Sequence, residues 1–460
     1  MSARLVIIGG GPAGAAAAAT AARLGAQVTM IERDVVGGAA NLWDCIPSKA
    51  MIAAGGGLSF ARRSGMLGIH LSGEPPHLEE LRTRVENISL RLSESSTRQL
   101  ESQGVRLIRG TGSFLDSHTV AIEPLATENS GDVLRELEAD AVMIATGSVP
   151  RVPPWAPVDG DRVLITRQAY PPRVIPEHLI VVGSGVTGVE FVHMFRSFGS
   201  EVTLVVSRQQ VLPMKDPEVA AALEDDFLKR GVRLIKGARA NVVVTDEDGV
   251  TVSCDDGRSI DGSHALLAIG STPSTSRLRL DAAGVHTSSG GYVPVNQHCQ
   301  SNVPHIYAGG DVSGRLQLAS VAAMQGRKIA EHVVGLHSRD RRSVDYDKAA
   351  SAIFTEPEIA DVGLAEAEAF ALGQKIRVTK VPFAVNAKSM IDGDARGFVK
   401  LVSDPATGVI LGGSIVGEHA AELISVIAIA VNAHLLVDDI AESLLVHPAL
   451  AEAIAEAAEY

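Results

Sequence analysis

Two stretches of this sequence share one plan, and that plan leaves the chain few folds to choose from. Arg4-Leu-Val-Ile-Ile8 is a short, β-branched apolar run that breaks into Gly9-Gly10-Gly11-Pro12-Ala13-Gly14 and then into a helix-forming stretch to Leu24. Leu179-Ile-Val-Val182 does the same, leading into Gly183-Ser184-Gly185-Val186-Thr187-Gly188 and a helical run through Phe198. Strand, glycine turn and helix in that order specify a β-α-β unit on a parallel sheet. Gly9, Gly11, Pro12, Ala13 and Gly14, and likewise Gly183, Gly185, Val186, Thr187 and Gly188, are the candidate turn residues. Their glycines permit a tight turn and close approach of the backbone to a pyrophosphate at the helix N-terminus, where unpaired N–H groups favour an anion. Two such units in one chain imply two dinucleotides.

The units differ where a ribose would lie. In the first, the strand Gln27-Val-Thr-Met-Ile31 ends in Glu32, 23 residues after Gly9, with Arg33 next; an acid there accepts hydrogen bonds from a ribose hydroxyl. The same count from Gly183 lands on Val206, followed by Ser207 and Arg208. A carboxylate repels an adenosine 2′-phosphate, whereas a hydroxyl and a guanidinium receive it, so the second unit favours NADPH. The plainer alternative is that Arg208 is a surface arginine and that NADH is accepted as well.

With 460 residues, the chain is long enough for about two to four domains. A formal net charge of −13 argues against sequence-independent nucleic-acid binding, which needs a basic footprint. The basic runs Arg62-Arg63 and Arg339-Asp340-Arg341-Arg342 read as solvated surface. Three cysteines, Cys45, Cys254 and Cys299, show neither a disulfide framework nor metal-ligand spacing, so no metal is expected and a reducing cytoplasm is the expected compartment. The sequence opens without a cleavage-site pattern, and no apolar run reaches the roughly 18 residues of a spanning helix. The run Ala15 to Ala22 reads as a helix packed tightly on a sheet. Residues 51 to 104 read as helical, notably Leu78 to Gln103, with a strand at Val105 to Arg109. Prolines at 150, 153, 154 and 157, then 171, 172 and 176, mark a change of domain, and the charged stretch Ser338 to Asp347 reads as a linker.

Between the first unit and the long helical region lies Gly37-Gly38-Ala39-Ala40-Asn41-Leu42-Trp43-Asp44-Cys45-Ile46-Pro47-Ser48-Lys49. It closely resembles the redox segment of the flavoprotein disulfide reductases, the class I pyridine nucleotide-disulfide oxidoreductases that include glutathione reductase and dihydrolipoamide dehydrogenase. Their pattern is G-G-T-C-x-N-x-G-C-x-P-S-K. Where that family carries the cysteine that exchanges with the disulfide substrate, this chain has Ala40; the flavin-facing cysteine remains as Cys45, and Trp43 and Asp44 replace smaller residues.

The resemblance runs the length of the chain. By it, Gly38, Ala39, Ala145-Thr146-Gly147 and Gly270 line an FAD site, Gly310-Asp311 brings a carboxylate to the ribityl chain, and Leu318-Ala319-Ser320 opens a helix aimed at the flavin pyrimidine edge. Glu190, two residues past Gly188, pairs with Lys49 beside the flavin and nicotinamide rings; read without the resemblance, it is a solvated acid near a helix N-terminus. Phe354 to Gly363, Gly397 to Lys400 and Gly412 to Glu422 match the C-terminal dimerisation domain in order and spacing. In His447-Pro448-Ala-Leu-Ala-Glu452, the histidine is either a carboxylate-backed proton carrier completing the partner's active site or a satisfied interface residue.

The expected architecture is α/β: an FAD domain from 1–150 and 271–340, an NAD(P)H domain from 151–270, both Rossmann-like, and an α+β dimerisation domain from 341–460. The expected activity is that of a homodimeric FAD-dependent NAD(P)H oxidoreductase. A dithiol relay needs two sulfurs, so electrons pass to a non-disulfide acceptor, with a quinone first among small molecules because the closest resemblance is to the quinone reductases of this family. Three alternatives stand beside it. One is a soluble pyridine-nucleotide transhydrogenase, which has a similar Trp-x-x-Ile-Pro-Ser-Lys-Ala segment. Another is a dihydrolipoamide dehydrogenase-like protein using Cys45 as a thiol peroxidase does. The third is a non-catalytic flavin-bound sensor.

Overall fold

The computed structural model describes residues 2–71, 74–125, 136–336 and 343–459. Part of the expected linker, residues 338–342 with the second basic run, lies outside them. The chain forms two compact units, one from residues 1–48, 82–151 and 270–346 and the other from 49–81, 152–269 and 347–460.

The first unit is built on a seven-stranded sheet in the order Ile306–Ala308, Ala141–Ile144, Arg4–Ile8, Gln27–Glu32, Arg106–Phe114, Thr119–Pro124, Glu136–Glu138. The first five strands run parallel; the last three are joined antiparallel. Arg4–Ile8 is buried from Leu5 onward on both faces, as a central parallel strand must be. Helix α1 (Pro12–Arg23) follows the first glycine turn. Its small residues serve a helix as well as the sheet: a Cβ built on Gly326, in the helix Ala319–Val333, would stand 2.1 Å from the Ala13 carbonyl oxygen. The helix expected on the sheet is there, and it packs on a second helix besides. Short helix α2 (Gly38–Leu42) leads to α3 (Cys45–Arg63), along which the chain passes into the second unit at Lys49.

The helical region after Lys49 is interrupted. After α3 a 3-10 turn at Ser64–Leu67 precedes Gly68, with φ of +76°, and helix resumes only with α4 (Leu78–Ser102). The break coincides with Gly65, Gly68, Pro75 and Pro76, which deny the helix its stability and its backbone donors.

The second unit repeats the order of the first unit's central strands. Its parallel sheet runs Arg233–Lys236, Glu201–Val206, His178–Val182, His264–Leu267, Val163–Ile165. In both units the strand before the glycine turn lies between the next strand of its own unit and a strand from much later in the chain. Helix α5 (Val186–Phe198) follows the second turn, and α6 (Pro217–Lys229) precedes the edge strand, its first turn capped by the Asp216 side chain. A separate five-stranded antiparallel sheet, ordered Ser351–Ile353, Glu358–Gly363, Ile410–Gly417, Phe398–Ser403, Arg377–Pro382, packs on the helices Ala420–Ala433 and Glu452–Glu459. None of the described helices is long and apolar enough to cross a membrane.

Candidate functional site

The two glycine turns are built alike to within tenths of an ångström. A Cβ on Gly9 would stand 2.3 Å from the Ala145 oxygen, and one on Gly183 would stand 2.3 Å from that of Ala268; both residues have φ near +110°. A Cβ on Gly14 would come within 2.0 Å of the Gly9 oxygen, and one on Gly188 within 1.8 Å of the Gly183 oxygen. Nothing larger than glycine fits at these four positions. At the helix N-caps Gly11 and Gly185, by contrast, a Cβ would meet nothing within 4 Å, and neither helix end is capped by a side chain. Each turn therefore offers uncapped backbone donors beside open space, which is the cradle a pyrophosphate needs.

In the first unit Glu32 ends its strand with its carboxylate accepting from Gly10 N at 2.5 Å and Asp34 N at 2.6 Å. Burial pushes this carboxyl above its ordinary range, against the pull of those amides. Arg33 is turned to Asp34 instead. Gly38, with φ of +55°, closes on the turn: a Cβ there would lie 2.9 Å from the Gly11 Cα. Ala39 accepts from the backbone N–H groups of Trp43 and Asp44, which ends α2. Two serines on α4 hold this segment, Ser89 donating to the Asn41 oxygen at 2.7 Å and Ser93 Oγ accepting from Asn41 at 3.3 Å. Ala145 and Thr146 follow the strand Ala141–Ile144, and Gly147 has φ of +66°. Thr146 Oγ1 is buried and has no hydrogen-bond partner. Such an orphan costs about 1–3 kcal/mol, so it marks a place where a bound group completes the structure.

Asp311 heads a 3-10 turn after Gly310 and accepts from Ser148 Oγ at 2.7 Å. The buried amide of Gln325 holds the preceding backbone, its Oε1 accepting from Gly310 N at 2.7 Å and its Nε2 donating to the Tyr346 hydroxyl at 2.9 Å. Leu318 is the N-cap of Ala319–Val333, and Ala319 and Ser320 stand exposed at its start. Gly270 begins the return of the chain to this unit, with φ of +91°. The residues Gly9 to Gly14, Glu32, Gly38, Thr146 and Asp311 thus fit an FAD on the chemistry of their donors and the room they leave.

In the second unit, Lys49 Nζ lies 2.9 and 3.0 Å from the two carboxylate oxygens of Glu190. Glu190 is 4% exposed, not the solvated acid of the plainer reading. A third donor completes its shell: Phe354 N donates to Oε1 at 3.0 Å, and the Phe354 ring lies under the ammonium at 4.7 Å. The ion pair is therefore fixed by a backbone amide and a ring face together, with Lys49 still 35% exposed. At the end of the strand Glu201–Val206, Val206 is buried while Ser207 and Arg208 are exposed.

His447 and Glu452 form a second pair in this unit. His447 Nδ1 is 2.7 Å from Glu452 Oε1, and Ala449 N donates to Oε2 at 2.8 Å. That amide, with the imidazole next, holds the Glu452 carboxyl below its ordinary value. With Nδ1–H donating to the carboxylate, the 74% exposed ring presents Nε2 outward. Cys45 opens α3 and is in no disulfide; Cys254 and Cys299 are buried in the core of the second and first unit respectively. Burial pushes the Cys299 thiol up to about 11. Phe354, Ser148, Gln325 and the α4 serines are functional candidates that residue-by-residue reading missed. The i, i+4 spacing of Ser89 and Ser93 within a charged helix was the one available signal among them.

The sequence model described as pyridine nucleotide-disulphide oxidoreductase matches residues 3–326, and that of the same family's dimerisation domain matches 349–458. A protein of Mycobacterium tuberculosis named NAD(P)H dehydrogenase (quinone) is 42% identical over all of this chain and 94% of its own. The dihydrolipoyl dehydrogenase of Chlamydia muridarum is 33% identical over 98% of this chain and 95% of its own. Among solved structures, LpdA from M. tuberculosis superposes with a TM-score of 0.93 at 42% identity, covering 99% of both chains. The HOCl-induced flavoprotein disulfide reductase RclA from Escherichia coli does so with 0.85 at 25% identity, again over 99% of both.

Proposed function

The chain belongs to the pyridine nucleotide-disulphide oxidoreductase family as an FAD-dependent NAD(P)H oxidoreductase without the redox-active disulfide, and we propose that it moves electrons from NADPH to a quinone as a homodimer. The observation that carries this reading is Ala40. It stands where the exchanging thiol would be, while the Lys49–Glu190 pair is intact and neither buried cysteine replaces that thiol. FAD, when bound, supplies two-electron exchange between a nicotinamide and an acceptor that need not be a disulfide. NADPH, one proton and a quinone then give NADP+ and a quinol.

Each pair of residues has work to do in that reaction. Lys49, kept in place by Glu190 and Phe354, puts a positive charge where negative charge develops in the reduced state. The quinol oxygen needs protons. His447, oriented by Glu452 through Nδ1 and with Nε2 facing outward, is suited to deliver one. Position in the C-terminal domain, matched to the family's dimerisation domain, supports a site completed by a second copy. Exposed Ser207 and Arg208 after Val206, against Glu32 in the first unit, support NADPH over NADH.

Turnover of the purified flavoprotein with NADPH and NADH should be measured in parallel against menadione, a thionicotinamide analogue, oxygen, glutathione disulfide and lipoamide. Menadione should turn over and the two disulfides should not, because a mixed disulfide needs an attacking thiolate and a resolving one. Lipoamide reduction dependent on Cys45 would refute this reading. Thionicotinamide turnover above that of menadione would make the protein a transhydrogenase, which a second motif without an acid at Val206 also allows.

A further inference from the structure

At the end of α3, Arg62 is solvated as its sequence suggests, but Arg63 is drawn into an ion-pair network. In the second unit Arg62 and Arg63 stand with Arg196 of α5, Arg230 just past α6, and Arg396 around a cavity of about 390 Å³ that Asp226 and Glu356 also line. Arg63 reaches Glu356 at 2.6 Å and Asp394 at 2.9 Å, and Arg396 reaches Asp226, Glu356 and Asp394 within 3 Å. Arg230 shares Asp226 at 3.4 Å. Arg196 has only backbone acceptors, the oxygens of Arg230 and Ser200, and Arg62 is exposed with no acceptor among the described residues.

Acceptors are therefore in short supply. Five guanidiniums meet three carboxylates, which leaves an excess of two positive charges in a chain whose net charge is −13. The Nε of Arg63 is buried without any acceptor. His193, buried beside Arg230, accepts from its Nη1 at 3.1 Å; burial first, and Arg230 second, push its pKa down to about 3, so it stays neutral and compensates nothing. Forked N–H donors in excess around a cavity of this size suit a tetrahedral oxyanion, which takes two donors from each guanidinium it meets.

The same wall touches the Lys49–Glu190 pair by three routes. Helix α3 carries Lys49 in its second turn and Arg63 at its end. Helix α5 carries Glu190 early and Arg196 late, and the two helices meet at Gly55, where a Cβ would stand 3.2 Å from that of Ser197. Phe354, which holds Glu190 by its N–H, is two residues from Glu356, which holds Arg63 and Arg396. An anion competing for those two arginines slackens their grip on Glu356 and hence on that segment.

We propose that this cavity binds a small phosphate-class oxyanion, and that the Lys49–Glu190 pair senses its occupant through residues 354–356. Isothermal titration of the flavin-loaded protein with inorganic phosphate tests the site, with chloride keeping ionic strength constant and NADP+ saturating the dinucleotide turn. One saturable site is expected, weakened about tenfold or more by Arg62→Glu with no change in thermal midpoint, since Arg62 holds nothing in the fold. Phosphate should also change the single-turnover rate of flavin reduction by NADPH about twofold or more in the native protein but not in Arg62→Glu. That readout needs no acceptor, so it stands or falls apart from the quinone reading. No saturable binding at tens of millimolar, or equal affinity in Arg62→Glu, overturns the site. Binding with an unchanged reduction rate overturns the link to the pair.

Discussion

Replacing Glu190 by glutamine and by alanine separates its two tasks. Its carboxylate balances Lys49 at 2.9 and 3.0 Å and accepts from Phe354 N at 3.0 Å. Glutamine keeps an oxygen for the amide and removes the charge; alanine removes both. A hydrogen bond to a charged group contributes about 1.5–3 kcal/mol, and with Lys49 35% exposed, solvent screening reduces this to about 1–2 kcal/mol. If the pair places the lysine charge for hydride transfer, Glu190→Gln should slow flavin reduction about fivefold to thirtyfold, at about 1.4 kcal/mol per factor of ten. Glu190→Ala should be slowed at least as much and should also unfold more readily, by about 1 kcal/mol, because the part-buried Phe354 amide loses its acceptor. Anaerobic stopped-flow mixing with NADPH gives the rate, and urea denaturation midpoints give the stability difference. A glutamine variant reduced within about twofold of the native rate would refute the positioning role. Equal midpoints for the two variants would refute the contribution of the Phe354 bond.

Native enzyme should show a higher kcat/KM with NADPH than with NADH, and Val206→Glu with Arg208→Ala should reverse the order; a native preference for NADH of about tenfold, or 1.4 kcal/mol, would refute the reading of Ser207 and Arg208. Native enzyme should accept two electrons per FAD in an anaerobic titration, while Ala40→Cys should accept four and show a thiolate-to-flavin charge-transfer band. If that variant stops at two with both thiols unpaired, the segment has been reshaped, and Trp43, 43% exposed between the two positions, is the residue to examine next. Acid should weaken the arginine network in a defined window. Burial opposes the charged form of Glu356, but the Ser59 hydroxyl, Arg63 and Arg396 outweigh it and hold its carboxyl below 4.5, and Asp394 is held down in the same way by Arg396 and Arg63. Their contribution is thus complete above that value and is lost as pH falls through their lowered ones. Thermal midpoints between pH 6 and pH 3 should fall less steeply for Glu356→Gln with Asp394→Asn than for the native protein, from a lower starting point; parallel slopes would refute the assignment.

What the sequence made legible follows from where residue identity and geometry are the same fact. Gly14 and Gly188 have no alternative, because any Cβ would strike a carbonyl oxygen at 2.0 Å or less, so the two turns announce themselves. The pair of Lys49 and Glu190 spans 141 positions and could be read only through its register with a family pattern. Phe354 holds Glu190 through a backbone N–H, which every residue but proline possesses, so no letter of the sequence marks that bond, and its ring meets Lys49 only once the chain has folded. The antiparallel strands between Ala240 and Gly262 are marked by their turns, Asp246-Glu-Asp-Gly249 and Asp255-Asp-Gly257.

Arg63 shows the limit most sharply. A basic pair at a helix end reads as solvated, because a local window contains nothing to neutralise it, yet its acids lie near position 356 and 331 residues away at 394. Gathering like charges is costly unless they are met, and here carboxylates reach three of the five, Arg62 standing in solvent and Arg196 on backbone oxygens. The conditions that would make this arrangement neutral are therefore supplied from outside the sequence, as the uncapped glycine turns and the unpartnered Thr146 hydroxyl are completed by what binds them. At all three places the unmet donors of the folded chain describe the ligand, and they describe it as oxygen-rich.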